Sequence, residues 1–331
     1  MAGHGTSIVL GIDVGGTKIA GAAADLQGRI LCRHTVRTAV QSGPEGIVAQ
    51  IVALAGTLVL ACGRKLDDVA TIGLGAPGLT GAAEGIVFQA PNLPNWRDVP
   101  LKAMVESQLG RPVHLENDAR AAAIAEHTWG AGQGVDDMVY VTVSTGVGGG
   151  LILNGHLYRG AAGTAGEIGH VAIEANGPPC CCGGRGCLEV LASGTAIARQ
   201  AVVEIRAGAR TIVSDIAGGD LGAVTARTVQ EAASRGDELA VRLLTRAGEY
   251  LGIGLAGLTN VLAPRLVVVG GGVAAAGELI LGPARQTLRE RACAHPASVV
   301  EVVKTRLGRD TALLGTIALA LGYDYPFGRT T

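Results

Sequence analysis

The chain has 331 residues, 48% of them hydrophobic and only 3% aromatic, with 52 glycines and a formal net charge of −1. At roughly 150 residues per average domain, that length leads us to expect two domains and a substantial core. The near-neutral charge lacks the concentrated Lys/Arg excess that phosphate-backbone binding needs, so nucleic acid is not expected as a partner.

Residues 7–13 form an apolar strand, 14–17 a glycine turn and 18–24 a second strand, so the chain opens on a β-hairpin. Residues 30–36 add a third antiparallel strand. A helix follows over 44–61, with Pro44 in its first turn and Ile47, Ile51, Leu54 and Leu58 as the stripe laid on a sheet. The apolar run 51–62 within it is shorter than the ~20 residues of a membrane span and contains Gly56 and Thr57, so no membrane partner is expected. With the strand at 69–74, the order β-β-β-α-β departs from the alternation of a dinucleotide-binding fold. Gly73-Leu-Gly75-Ala76-Pro77-Gly78 matches G-x-G-x-x-G, yet no helix opens after it to receive a pyrophosphate. We read it as backbone lining a small-ligand pocket.

A short strand at 112–115 leads into a helix over 118–129. Strands 136–143 and 149–154, joined by Ser144-Thr145-Gly146-Val147-Gly148, then repeat the opening hairpin, which implies two similar lobes. Helices at about 193–206, 225–235 and 238–261 follow. Strand 265–269 runs into Gly270-Gly271-Gly272, and a helix at 277–289, a strand at 299–303 and a helix at 311–321 close the chain.

The most specific signal lies between the second hairpin and those helices. His170 is followed by Cys180, Cys182 and Cys187, a set that supplies one imidazole and three thiolates. Such a set closes a tetrahedral zinc site with no position for an activated water, so the metal is expected to be structural. Seven cysteines form an odd set with four clustered, and the first residues show no signal peptide pattern, which points to a reducing, cytoplasmic compartment. Cys181 is the spare thiol and receives no role. Glu167 and Glu189 bracket the ligands, so the metal would hold two acids in fixed places.

Glycine turns bring backbone N–H groups close to an anion, and phosphate is the usual one. Three such turns recur: Asp13-Val-Gly15-Gly16-Thr17-Lys18, Ser144-Thr145-Gly146, and Gly270-Gly271-Gly272. Asp13 adds a carboxylate where a phosphate-bound Mg²⁺ needs one, directly or through water.

Asp13-Val-Gly-Gly-Thr-Lys18, Glu116-Asn117-Asp118-Ala, Ser144-Thr145-Gly-Val-Gly-Gly-Gly, Glu167-Ile-Gly-His170 and the cysteine segment ending in Leu188-Glu189 together resemble the ROK sugar kinases, particularly bacterial glucokinases. The resemblance runs from about residue 8 to 320. It implies an α/β actin-like ATPase (ribonuclease H-like) fold, two lobes around a central cleft, with ATP, Mg²⁺, a structural Zn²⁺ and a hexose phosphorylated at its 6-hydroxyl. The lobes are expected to be residues 1–117, completed by the C-terminal helix at about 311–331, and 118–310. A homodimer or homotetramer is also implied.

Phosphoryl transfer to a sugar needs a group to take the hydroxyl proton, and the resemblance assigns that role to Asp118. Asn117-Asp118 precedes a helix, so an N-cap is the structural alternative, although one such residue would suffice. The resemblance gives Asn117 a neighbouring sugar hydroxyl, Glu167 and Glu189 the ring hydroxyls, and His170 one nitrogen for zinc and the other for the sugar. Asn92 matches a sugar contact, and Gly75-Ala76 would lie close to the ring as backbone. Asp13, Gly15, Gly16, Thr17, Lys18, Thr145, Gly146, Gly270, Gly271 and Gly272 are then the nucleotide-binding set. An N-acetylmannosamine or N-acetylglucosamine kinase is the nearest alternative, and a polyphosphate donor could replace ATP. A sugar-responsive ROK transcriptional regulator is the alternative of another class; it is disfavoured, because such proteins carry a helix-turn-helix module ahead of the sugar domain and the first turn already begins at Asp13.

Overall fold

The structure, a computed structural model, describes residues 7–323. Residues 324–331 of the expected C-terminal helix therefore lie outside the described residues. In chain order the strands of the first part are β1 (Ile8–Val14), β2 (Lys18–Asp25), β3 (Ile30–Arg37), β4 (Val69–Ala76), β5 (Leu79–Gly81), β6 (Ile86–Gln89), β7 (Arg97–Val99) and β8 (Val113–Asn117). The helices among them are α1 (Gly43–Ala61), α2 (Leu101–Leu109) and α3 (Asp118–Trp129). Next come β9 (Met138–Val143), β10 (Val147–Leu153), β11 (His156–Leu157), α4 (Leu188–Ala192), α5 (Gly194–Arg206), α6 (Val213–Ile216), α7 (Ala226–Ser234) and α8 (Glu238–Leu262). The chain closes with β12 (Leu266–Gly270), α9 (Glu278–Arg291), α10 (Ala294–Val299), β13 (Glu301–Lys304) and α11 (Thr311–Ala320).

Two five-stranded sheets have orders β3-β2-β1-β4-β8 and β11-β10-β9-β12-β13. In each, an antiparallel meander is followed by two parallel strands. The repeated glycine hairpin of the sequence is thus the start of a repeated sheet. The chain divides into two compact units, one running to Gly134 and including Gly150–Gly166 and the segment from Asp310, the other Val135–Gly149 with Glu167–Arg309. The first unit continues through α3 beyond the boundary expected near 118, because α3 packs against α11.

In the first unit α1 lays Ile47, Ile51, Leu54 and Leu58, all 0–2% exposed, on the sheet. By length and composition residues 40–61 would suffice to cross a membrane, contrary to the estimate from the run 51–62 alone. The buried stripe gives this helix the packing of a core element instead. On the other face α11 crosses β1 and β4 so closely that a Cβ at Gly73 would lie 1.8 Å from the Thr316 carbonyl oxygen. Only glycine permits that approach, and it packs α11 against the strands whose ends carry Asp13 and Gly75.

Three features differ from the sequence reading. The small sheet β5-β6-β7 and helix α2 occupy a stretch for which no elements were expected. The last strand begins at Glu301, because 294–299 forms the short helix α10.

Candidate active site and metal centre

In the first unit, parallel pairing sets Asp13 beside Gly75, Gly75 beside Glu116, and Ala76 beside Asn117. Three strands therefore deliver their C-terminal ends, where α/β sheets bind ligands, to one place. A Cβ on Gly75 would stand 3.2 Å from Asp13 Oδ1, so this backbone lies directly against the carboxylate. Burial, then the neighbouring Asp118 carboxylate, push Asp13 up to about 7 despite the opposing Lys18 charge. Two acids this close, one buried, are what a divalent cation would relieve, so the site fits Mg²⁺.

Asp118 opens α3, and its Oδ1 accepts from the Ala119 N–H at 2.8 Å. Asn117 is the N-cap: its Oδ1 accepts from Ala119 and Arg120 N–H, while Nδ2 donates to the Gly78 carbonyl at 3.0 Å. Both lone-pair directions of that oxygen are used, so only the second Nδ2 hydrogen is open to a ligand. The cap and the sugar contact considered as alternatives are therefore compatible.

Sequence reasoning missed what fixes this turn. Glu116, 0% exposed, accepts from the Asn117 N–H at 2.9 Å, Arg120 Nε at 2.6 Å and Arg159 Nε at 2.8 Å. Arg120, 1% exposed, also donates to the carbonyls of Thr80 and Ala165. The one available signal was the four-residue spacing of Glu116 and Arg120 across the strand-to-helix junction.

The turn Gly15–Lys18 is closed by Gly15 N–H donating to the Lys18 carbonyl, and Thr38 ties it from outside through the Gly15 and Thr17 carbonyls. Asn92, expected to meet the sugar, lies against Gly16, whose added Cβ would come 3.3 Å from the Asn92 Cβ. An open groove of about 630 Å³, lined by Gly16, Thr17, Arg37 and residues 38–42, adjoins the turn.

In the second unit His170, Cys180, Cys182 and Cys187 bring one ligand atom each within 4.8 Å of one another. The Cys182–Cys187 sulfur separation is 3.7 Å, and His170 Nδ1 lies 3.5 Å from Cys180 Sγ. Tetrahedral zinc with ordinary bond lengths requires edges of about 3.8 Å (S···S) and about 3.6 Å (S···N), which these two separations match, so the donor set fits that ion. Burial, then the neighbouring thiols, push Cys187 up to about 12. Sulfur atoms this close ionise together only beside a cation. Coordination through Nδ1 leaves His170 Nε2 carrying a proton that can be donated.

Glu189, in the first turn of α4, accepts from the Val147 N–H at 2.9 Å through Oε2. Its Oε1 accepts from the Cys181 thiol at 3.9 Å, which gives that cysteine a contact the sequence did not suggest. A Cβ on Gly146 would stand 2.3 Å from Glu189 Oε2, so the turn and the acid are fitted to each other. Glu167 precedes the short 3-10 turn Ile168–His170 and accepts the His170 N–H through its carbonyl. Strands β9 and β12 are parallel neighbours with Gly270 beside Thr142, which brings Gly271 against Val143. The turns Ser144–Gly146 and Gly270–Gly272 are therefore adjacent.

Residues 9–322 match the ROK family. A glucokinase from Thermotoga maritima is 35% identical over 311 residues, 94% of this chain and 96% of that protein. The crystal structure of a ROK family glucokinase from Streptomyces griseus in complex with glucose and AMPPNP is 37% identical, with a TM-score of 0.84 over 95% of this chain and 99% of that one. The xylose repressor of Bacillus subtilis is 31% identical over 95% of this chain and 77% of the repressor.

Proposed function

We propose that this chain, which belongs to the ROK family, is an ATP-dependent hexose kinase that phosphorylates glucose at its 6-hydroxyl. The observation that carries the reading is Asp118, a carboxylate at the start of α3, held by a buried charge network next to a second acid at the ends of three parallel strands. That pairing suits one acid to a hydroxyl proton and the other to a phosphate-bound cation.

In this reading Asp118 accepts the proton of the 6-hydroxyl as its oxygen bonds to the γ-phosphorus and the bond to the ADP oxygen breaks. The second Nδ2 hydrogen of Asn117 and the backbone of Gly75 and Ala76 orient the ring, with Asn92 near the first phosphate turn. Glu167, the Nε2–H of His170 and Oε1 of Glu189 bind other ring hydroxyls. Backbone N–H groups of Gly16, Thr17, Thr145 and Gly146 face phosphate oxygens, while Gly15, whose N–H closes the turn on the Lys18 carbonyl, sets its shape; Lys18 adds charge and Gly270–Gly272 serve the adenosine side. Mg²⁺, for which Asp13 is the carboxylate, would neutralise phosphate charge. Zinc held by His170, Cys180, Cys182 and Cys187 would be structural, since no ligand position remains.

A thiolate zinc site suits a reducing compartment, so we place the protein in the cytoplasm. From the family resemblance we expect a homodimer or homotetramer, to be measured by light scattering. The similarity to a xylose repressor keeps a sugar-responsive regulator as the alternative of another class. An ADP-release assay across hexoses and N-acetylhexosamines decides the matter. Glucose-dependent turnover that falls by about 10²–10⁴ in Asp118→Ala supports the kinase. No turnover with any sugar, or a variant as active as the parent, sinks it.

A further inference from the structure

The zinc knot and the second phosphate turn meet at Glu189, two residues beyond the ligand Cys187. Four hydrogen bonds join α4 and the start of α5 to turn residues 144, 145 and 147. Val147 N–H donates to Glu189 Oε2 at 2.9 Å, and Gly194 N–H to the Ser144 carbonyl at 2.7 Å. Thr195 donates to the Thr145 carbonyl through Oγ1 at 2.7 Å and through its N–H at 3.4 Å. Cys187 is the residue from which α4 starts, and Cys181 donates to the other Glu189 oxygen. The carboxylate is thus anchored from the cysteine segment on two sides, and the absence of a side chain at Gly146 leaves it the room to sit against the turn.

We propose that Glu189 is a positioning residue for the nucleotide as well as a sugar ligand, and that it makes nucleotide binding depend on the metal even when no sugar is present. The proposal rests on the reading of 144–147 as a phosphate turn. A carboxylate accepting a backbone N–H is a strong, charge-assisted restraint. With it, the turn's amides stay aimed at an anion; without it, the turn must be ordered at the expense of binding.

The test uses the full chain, AMPPNP with Mg²⁺ and no sugar, by titration calorimetry, so that the sugar contacts of Glu189 cannot contribute. Glu189→Ala, checked to retain its zinc, is expected to bind AMPPNP about 10–100-fold more weakly, the loss of one charged hydrogen bond. Glu189→Gln keeps an oxygen for Val147 N–H and is expected to recover most of that affinity while still binding glucose poorly. Zinc-stripped protein should match Glu189→Ala. Hydrogen exchange of the amides of 144–150 should accelerate in both, a readout that does not depend on any ligand. Parent-like AMPPNP affinity and parent-like exchange in Glu189→Ala would overturn the proposal. If the unmodified chain fails to bind AMPPNP, the phosphate-turn reading falls, and the exchange rates alone decide whether Glu189 holds the turn.

Discussion

Replacing Arg120 by Met removes one partner of the buried charge network while preserving much of the side-chain volume. Glu116 would then keep Arg159 and the Asn117 N–H, but the Thr80 and Ala165 carbonyls would lose their donor. Both members of the pair are essentially inaccessible, at 1% and 0%. Breaking such a pair costs about 3–5 kcal/mol, because the remaining carboxylate stays buried with only Arg159 to offset its charge and two buried carbonyls lose their donor. At roughly 2–4 °C per kcal/mol, the melting temperature should fall by about 6–20 °C. The contrast is Arg29–Asp25, also an Arg–carboxylate contact four residues apart, in which Arg29 is 79% exposed. Arg29→Ala should cost less than about 1 kcal/mol, since solvent screens the pair. Equilibrium urea unfolding of both variants measures the difference. Turnover should fall as well, by as much as about 10²-fold, because Glu116 holds the backbone N–H beside Asp118 and a 1 Å displacement is costly. Equal stability losses in the two variants would refute the reasoning.

The Asp13 carboxyl, raised from 3.8 to about 7, binds its proton more tightly in the folded chain than in the unfolded one. Its contribution therefore favours the fold below pH ~4, is lost as pH rises to ~7, and is flat beyond. Asp13→Asn should be more stable than the parent at pH 8 and indistinguishable at pH 3.5 when urea midpoints are compared without Mg²⁺; a constant difference at both pH values counts against the assignment. Elemental analysis should find one zinc per chain, falling in Cys182→Ser together with glucose binding; full glucose affinity in verified metal-free protein would end that reading. Asn117→Ala loses an N-cap and should cost about 0.5–2 kcal/mol in urea titrations, alongside a drop in turnover. A change in stability without any change in turnover would leave Asn117 a cap and nothing more.

What the sequence revealed, and what it hid, follows from the range of the interactions involved. The ligands Cys180, Cys182 and Cys187 lie within one short loop, and their spacing alone restricts them to one face of a metal. Each glycine hairpin is likewise local, and the second hairpin announced the second sheet. Helix α2 and the strands β5, β6 and β7 escaped notice because they have only 3–9 residues, and Pro91-Asn92-Leu93-Pro94-Asn95 between β6 and β7 reads as loop. The membrane-length stretch at 40–61 could be judged only from what covers it, since apolar composition is shared by a core helix and a membrane span.

The charge network was hidden for a different reason. Arg159 lies 43 residues from Glu116, and nothing in the sequence distinguishes an arginine that reaches a buried carboxylate from a solvated one. Yet that contact decides its role: a fully solvated Arg159 would be a spectator, whereas beside the buried Glu116 it closes the set of donors that fixes the Asn117–Asp118 turn. The residues named from sequence are those that meet ligands. Of the residues that hold them, Arg159 and the Oε2 side of Glu189 emerge only when segments far apart in the chain are brought into contact, and the Glu116–Arg120 pair, though local, shows its burial only in the fold. Substituting the holders should therefore leave the ligand-binding residues unchanged in identity while altering their positions, a pattern that separates turnover from simple loss of fold.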